Sequence, residues 1–494
     1  MFKMKNCVLF ICLSAEILAL RLSFASEINI AASSIVKILS EEPCAYTEYS
    51  ATCGEIQVPE DHFNPTGKKI ILPYQLVKGS VSEGLERPVV MPLGGGPGMT
   101  NMVAPSKEIF DVSDVLLVGF RGIDGSVDLS CPEIDVAFVK ESRLFAPQSQ
   151  NNIQAAFDQC LKRLHEEGID TSVYNPQQTI EDMEAVRDAL EIDKVSLLSG
   201  SYGTRLAQYY AMQHPQSLNR IVMVATNPPG RFVWVPELVD NIMNAYGIDN
   251  APQVLASMPE SWMGINLDPA RIGINTFALL YSTDSAAMAI NAFEDAGNGD
   301  YAGLAMMSLI HDMMVSGMMN WGHLLIMAGS VDFDKERNYR TDLAATNDSF
   351  GSPLAMFLMT MISKDALTVL PDDFRKLKSI STPTLVIGGS LDISTPAVLA
   401  ERELMPYLEK GSLLRVGNAG HYDLWKKPVR ELMALYLKDG TRPVDFDLPK
   451  PFFEAGFLTL SRIAKLAPVA GVLVLMVLWF VIRLIIRKIE GRNS

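Results

Sequence analysis

The strongest constraint on the fold is a series of short aliphatic runs, each ending in a turn rich in glycine. Lys69–Val77, Pro88–Leu93, Asp114–Val118, Lys194–Leu198, Asn219–Ala225, Pro383–Ile387 and Leu413–Val416 show no polar alternation. Strands with one face in water alternate; strands covered on both faces do not. Helical patterns lie between the runs. Thr179–Leu190 opens with Thr179 and Asp182 spaced as a capping pair, and Thr204–His214 is stopped by Pro215. Strands that alternate with helices predict a mostly parallel sheet with helices on both faces.

The alternation breaks at Asn227-Pro228-Pro229-Gly230. Residues 227–375 are helical in character and hold 14 of the 25 methionines. They carry 18 Asp/Glu against 7 Lys/Arg, a net charge of −11. They are expected to form a Met-rich cap inserted between two parts of the sheet domain, 27–226 and 376–440. A proline-containing linker, 441–465, follows.

The chain ends differ from the body. Lys3 and Lys5 precede the apolar run Cys7–Ala15, and Ser23-Phe24-Ala25-Ser26 follows, in the order of a secretory signal over 1–26. Cleavage near Ala25 or Ser26, or retention as an anchor, are both compatible with this stretch. Leu466–Ile482 carries no charge, and Arg483, Arg487, Lys488 and Arg492 come after it. A spanning helix over 466–486 and a basic cytoplasmic tail over 487–494 are expected, with the body outside the cytoplasm. The predicted location is therefore a single-pass cell-membrane protein. A net charge of −15 excludes a nucleic-acid partner held through phosphate contacts. Four body cysteines, Cys44, Cys53, Cys131 and Cys160, allow three disulfide pairings. No CxxC or clustered histidine accompanies them, so no metal is expected.

Ser199-Gly200-Ser201-Tyr202-Gly203 follows a strand and opens a helix. A serine between small residues at a sharp strand-to-helix turn is a nucleophile elbow. Glycine is usual two before the serine; here Ser199 stands there. A serine nucleophile needs a base and a group to orient that base. Of six histidines, His421 alone follows a late strand, in Asn418-Ala419-Gly420-His421-Tyr422. Asp392 closes Gly388-Gly389-Ser390-Leu391-Asp392 at a strand end between serine and histidine; Asp423 is the weaker competitor. Gly94-Gly95-Gly96-Pro97-Gly98 ends another strand. The amides of Gly95 and Gly96, with that of Tyr202, are candidates for an oxyanion hole. A phosphate loop is the rival reading, but GK[ST] is missing.

With these pieces in place the chain resembles the α/β-hydrolase fold, in particular the relatives of proline iminopeptidase and tripeptidyl aminopeptidase. The matching segments are Cys44 with Cys53, Val58-Pro59-Glu60-Asp61, residues 94–98, Arg121-Gly122, Cys131-Pro132, residues 200–207, Gly389–Pro396 and Gly420-His421. The resemblance covers about residues 40–440 and implies pairing of Cys44 with Cys53 and Cys131 with Cys160. Gly94 and Gly119 depart from the pattern, where histidine and an acidic residue are usual.

The resemblance implies an aminopeptidase acting through an acyl-enzyme on peptide N-termini, without a cofactor. A carboxylesterase or lipase of the same fold is the alternative, and an inactive binding module a further one. The acidic cap is expected to attract a protonated peptide amine, with Glu237, Asp240, Glu294 and Asp295 as candidates to hold it.

Overall fold

In the computed structural model, residues 36–80, 88–315, 319–453 and 459–466 are described. Ten strands form the main sheet: β1 (Lys37–Tyr46), β2 (Tyr49–Pro59), β3 (Lys69–Val77), β4 (Val89–Leu93), β5 (Asp114–Val118), β6 (Val195–Gly200), β7 (Leu218–Val224), β8 (Thr384–Gly389), β9 (Gly411–Gly417) and β10 (Phe446–Asp447). Their spatial order is β1-β2-β3-β5-β4-β6-β7-β8-β9-β10. The first three strands pair antiparallel and β3 meets β5 antiparallel; from β5 onward the neighbours are parallel.

Every residue of β5, β6 and β8 is buried. That is the physical content of their unalternating sequence: Leu116 and Val118 face one apolar cluster, Val115 and Leu117 the other. The first run expected from the sequence is Lys69–Val77, yet β1 and β2 precede it. They were not legible because β1 is mostly exposed and carries a polar Ser-Glu-Glu-Pro stretch, Ser40–Pro43. A disulfide between Cys44 and Cys53 staples these two strands, and a second joins Cys131 to Cys160. Cys131, Glu133 and Cys160 lie within ligand distance of one another, but the two sulfurs are bonded to each other.

Between β7 and β8 the regular structure of the described residues is helical apart from one short hairpin. Its longer helices are Pro236–Ala245, Pro269–Leu279, Thr283–Gly297, Ala302–Val315 and Trp321–Asp332. A two-residue hairpin, Ser261–Trp262 with Ile265–Asn266, interrupts them. Part of the expected linker is sheet instead: Phe446 and Asp447 pair with Val416 and Gly417.

One expected cap is reassigned. The helix Pro176–Ala189 begins earlier, and Asn175 caps it by accepting from the Gln178 amide. Asp182 lies inside that helix and grips Arg121 through both carboxylate oxygens at 2.7 Å. His62 joins the same carboxylate at 2.8 Å, and Arg121 also donates to the Glu60 carbonyl. Burial alone would raise the Asp182 pKa, but the guanidinium and His62 outweigh it and hold it low. Pro59–Asp61 and Arg121 thus tie the front strands to the helix Pro176–Ala189.

The membrane helix expected at 466–486 is corrected. Among the described residues no helix is long and apolar enough to cross a membrane. The last described helical stretch, 460–466, carries Arg462 and Lys465 and lies against Gly303 of the insertion through Ser461. Residues 467–494 and the expected leader, 1–26, lie outside the described residues. The membrane anchor, the membrane as partner, and the cell-membrane location drawn from them are not carried further.

Candidate active site

Ser201 sits between β6 and the helix Gly203–Gln213 with φ at +49°, a left-handed conformation rare for a residue with a side chain. The neighbours explain why the turn must be lined by small residues. A Cβ on Gly200 would come within 2.6 Å of the Trp425 ring, and one on Gly203 within 2.2 Å of the Leu93 carbonyl. The unusual Ser199 fits because its hydroxyl donates to the Val222 carbonyl at 2.9 Å. A buried serine is thereby satisfied without widening the turn.

The glycine loop closes over this elbow. A Cβ on Gly95 would lie 2.7 Å from the Ser201 Cβ. Only glycine lets the main chain come so near the serine. Two amides of the loop are already used: Gly94 donates to Asn101 Oδ1 at 2.8 Å and Gly98 to His323 Nδ1 at 2.9 Å. The amides of Gly95, Gly96 and Tyr202 have no acceptor among the described residues. The three candidate oxyanion donors are thus the N–H groups left over. His323, from the insertion, is fully buried, and burial pushes its pKa down to about 3, so the ring is neutral and its Nδ1 can accept.

Asp392 and His421 meet at the ends of β8 and β9. His421 Nδ1 lies 3.0 and 2.9 Å from the two Asp392 oxygens. The carboxylate also accepts from the amides of Ser394 and Thr395 at 2.9 Å and from the Thr395 hydroxyl at 2.7 Å. Burial alone would raise its pKa; the His421 ring and these donors outweigh burial and hold the carboxyl below its usual range. An ionised acid accepting from Nδ1–H leaves Nε2 as the basic nitrogen. Ser201 Oγ makes no hydrogen bond to this ring in the structure. Such contacts are often loose before substrate binds. The Trp425 ring against Gly200 brings the histidine loop onto the elbow.

Asp423, the competing acid, has other work. It accepts from the amides of Gly420 and Thr283 at 2.8 and 2.9 Å and from the Ser282 hydroxyl at 3.1 Å, and pairs with Lys426. It fastens the histidine loop to the insertion. Of the four carboxylates expected near a substrate amine, Asp240 accepts from Ser349 and Phe350. Glu237 and Glu294 are exposed and Asp295 half-buried. None of the four hydrogen-bonds to Ser201, Asp392 or His421.

Sequence reasoning missed Thr395, although it lies in the quoted segment Gly389–Pro396. It also missed the partner of Arg205, in the segment 200–207. Both are wholly buried: Arg205 Nη1 meets the Asp332 oxygens at 2.9 and 3.0 Å, and Arg205 donates to the Pro228 carbonyl at 2.7 Å. The helix behind the serine is thus pinned to the start and to a late helix of the insertion. Asp332→Ala leaves a guanidinium buried without its counter-charge and is expected to cost about 3–5 kcal/mol of unfolding free energy. Urea denaturation measures this, and a loss under about 1 kcal/mol would show that the pair is not structural.

The chain carries the α/β-hydrolase fold. A family model described as alpha/beta hydrolase fold matches residues 94–269, and one described as TAP-like protein matches residues 368–447. The first contains the glycine loop and Ser201, the second Asp392 and His421. The chain is 26% identical over 206 residues to a tripeptidyl aminopeptidase of Streptomyces lividans, covering 38% of each chain. It is 23% identical over 290 residues to a proline iminopeptidase of Elizabethkingia meningoseptica, covering 57% of this chain and 79% of that one. The match spans well under half the length of the Streptomyces relative. Among solved structures, a meta-cleavage product hydrolase from Pseudomonas fluorescens IP01 aligns over 75% of this chain and 96% of its own, at 14% identity and a TM-score of 0.37. That likeness is too distant to carry an argument.

Proposed function

We propose that the protein is a serine hydrolase that releases residues from peptide N-termini. The observation that carries the proposal is the Asp392–His421 pair, both residues buried, joined to a left-handed Ser201 by a loop packed on its elbow. In the proposed reaction Ser201 Oγ attacks the scissile carbonyl and its proton passes to His421 Nε2. The oxyanion is held by the amides of Gly95, Gly96 and Tyr202. His421 then gives the proton to the leaving amine, so the C–N bond breaks and an acyl-Ser201 remains. Water, deprotonated by the same nitrogen, hydrolyses the ester and restores the serine. Asp392 stays ionised throughout and steadies the imidazolium.

The peptidase names of the relatives and the insertion's net charge of −11 support a cationic peptide N-terminus as the recognised group. Purified protein should therefore cleave aminoacyl or tripeptidyl chromogenic amides faster than short-chain p-nitrophenyl esters. N-acetylation of the amide should lower kcat/KM by about 10-fold or more, and added salt should slow only the free-amine form. Equal rates on free and acetylated substrates, without a salt effect, would remove the aminopeptidase reading. Preference for the esters would favour a carboxylesterase.

A further inference from the structure

The insertion is joined to the histidine by more than the polar contacts of Asp423. A run of aromatic rings starts at Tyr202, beside the nucleophile. It passes through Phe232, Trp234, Phe277 and Tyr281, with centroids 5.6, 5.3, 5.1 and 5.6 Å apart. It ends on His421. The Tyr281 ring meets the imidazole edge-on, with centroids 4.7 Å apart and planes at 89°. All but the two ends of the run come from the insertion, and Phe232, Trp234 and Phe277 are buried. At Tyr202 the run is held by the phenol, which donates to the Met327 carbonyl at 3.0 Å.

Tyr281 is also fixed on its other sides. Its hydroxyl donates to Ser394 Oγ at 3.3 Å, in the turn that presents Asp392, and its carbonyl accepts from the Tyr422 amide at 2.8 Å. The other ring on His421, that of Tyr422, is 61% exposed and constrains little. The bond to Cβ and the hydrogen bond from Nδ1 to Asp392 hold one side of the imidazole but leave the far side some freedom to tilt. An edge-on ring restricts that freedom, since tilting the imidazole would lose the contact or drive atoms together. The nitrogen that must face Ser201 is the one such tilting moves furthest.

We propose that Tyr281 is a positioning residue that sets the plane of the His421 ring, and that the aromatic run makes the insertion a brace for the catalytic base. The kinetic part of this proposal rests on the serine-hydrolase reading; the orientation of the ring does not. The test compares Tyr281→Phe with Tyr281→Leu in the full chain. Phenylalanine keeps the ring edge and loses only the long contact to Ser394, so it should retain kcat within about 2-fold. Leucine removes the edge and should lower kcat by about 10- to 100-fold with KM within about 2-fold, the mark of a misplaced base. Its rate of labelling by a fluorophosphonate should fall alongside.

The low-field proton resonance of the His421–Asp392 bond supplies a readout that needs no turnover. It should be sharp in the wild type and in Tyr281→Phe, and broadened or shifted in Tyr281→Leu. If the leucine variant does not fold, Tyr281→Met, of similar bulk but without a ring, takes its place with the same expected result. An unchanged resonance and unchanged kcat in the variant lacking the ring would overturn the proposal, as would equal losses in Phe and Leu. A wild type inert towards amides, esters and probe, whose resonance still responds to loss of the ring, would remove the hydrolase reading and leave the brace standing.

Discussion

Ser201→Ala is expected to lower kcat by about 10⁴-fold or more while leaving the melting temperature within a few degrees of wild type. The loss is large because the serine is the atom that forms the acyl bond, and the oxyanion donors alone support a small remnant of the rate. The fold should tolerate it because alanine keeps the Cβ that already sits 2.7 Å from where a Gly95 side chain would begin. The positive φ of Ser201 remains as demanding for alanine as for serine. A fluorophosphonate probe should label the wild type at this residue and miss the variant. Wild-type rates in Ser201→Ala would sink the assignment of the nucleophile.

Asp392→Asn comes next in size. The carboxylate accepts from His421 Nδ1, from two amides and from the Thr395 hydroxyl. An asparagine presents an N–H₂ group where one of those acceptors stood. If that group donates to Nδ1, the ring proton moves to Nε2, the nitrogen that must take the proton from Ser201. The expected result is a fall of about 10⁴-fold in kcat with KM nearly unchanged. Asp423→Asn tests the competing carboxylate. It should loosen the histidine loop from Ser282 and Thr283 and cost far less, since Asp423 does not touch the imidazole. If Asp423→Asn were the more damaging to kcat, the two roles would have to be exchanged.

Much of the sheet was legible because burial on both faces leaves a direct mark on a strand: β5, β6 and β8 have no reason to alternate. The same logic hid β1 and β2. They lie at the antiparallel end of the sheet, where β1 is mostly exposed, and β10 is only two residues long. The strand ends moved by two residues at Gly200 and Gly389, glycines that the ladder includes. The expected start of the helix Pro176–Ala189 was misplaced because Thr179 and Asp182 have the spacing of a cap. Spacing does not show that Asp182 is taken by the guanidinium of Arg121, from the turn after β5.

The site divides along the same line. The elbow, the glycine loop and the order of Ser201, Asp392 and His421 were determined by sequence alone. Each is a local device: a turn that tolerates only small residues, amides exposed by glycines, a strand end that presents one side chain. Which carboxylate would meet His421 was a matter of tertiary structure. Asp392 and Asp423 are both near strand ends, and only the fold sends Asp423 to Thr283 and Ser282. So too with Ser199, whose hydroxyl finds the Val222 carbonyl on the neighbouring strand, and with Arg205 and Asp332, 127 residues apart. Tyr281 is the extreme case. It lies in a helical, Met-rich stretch with no motif around it, and its place against His421 depends on how the whole insertion packs back onto the sheet. Contacts of that range leave no pattern in the sequence, because the residues that make them need only be complementary in space.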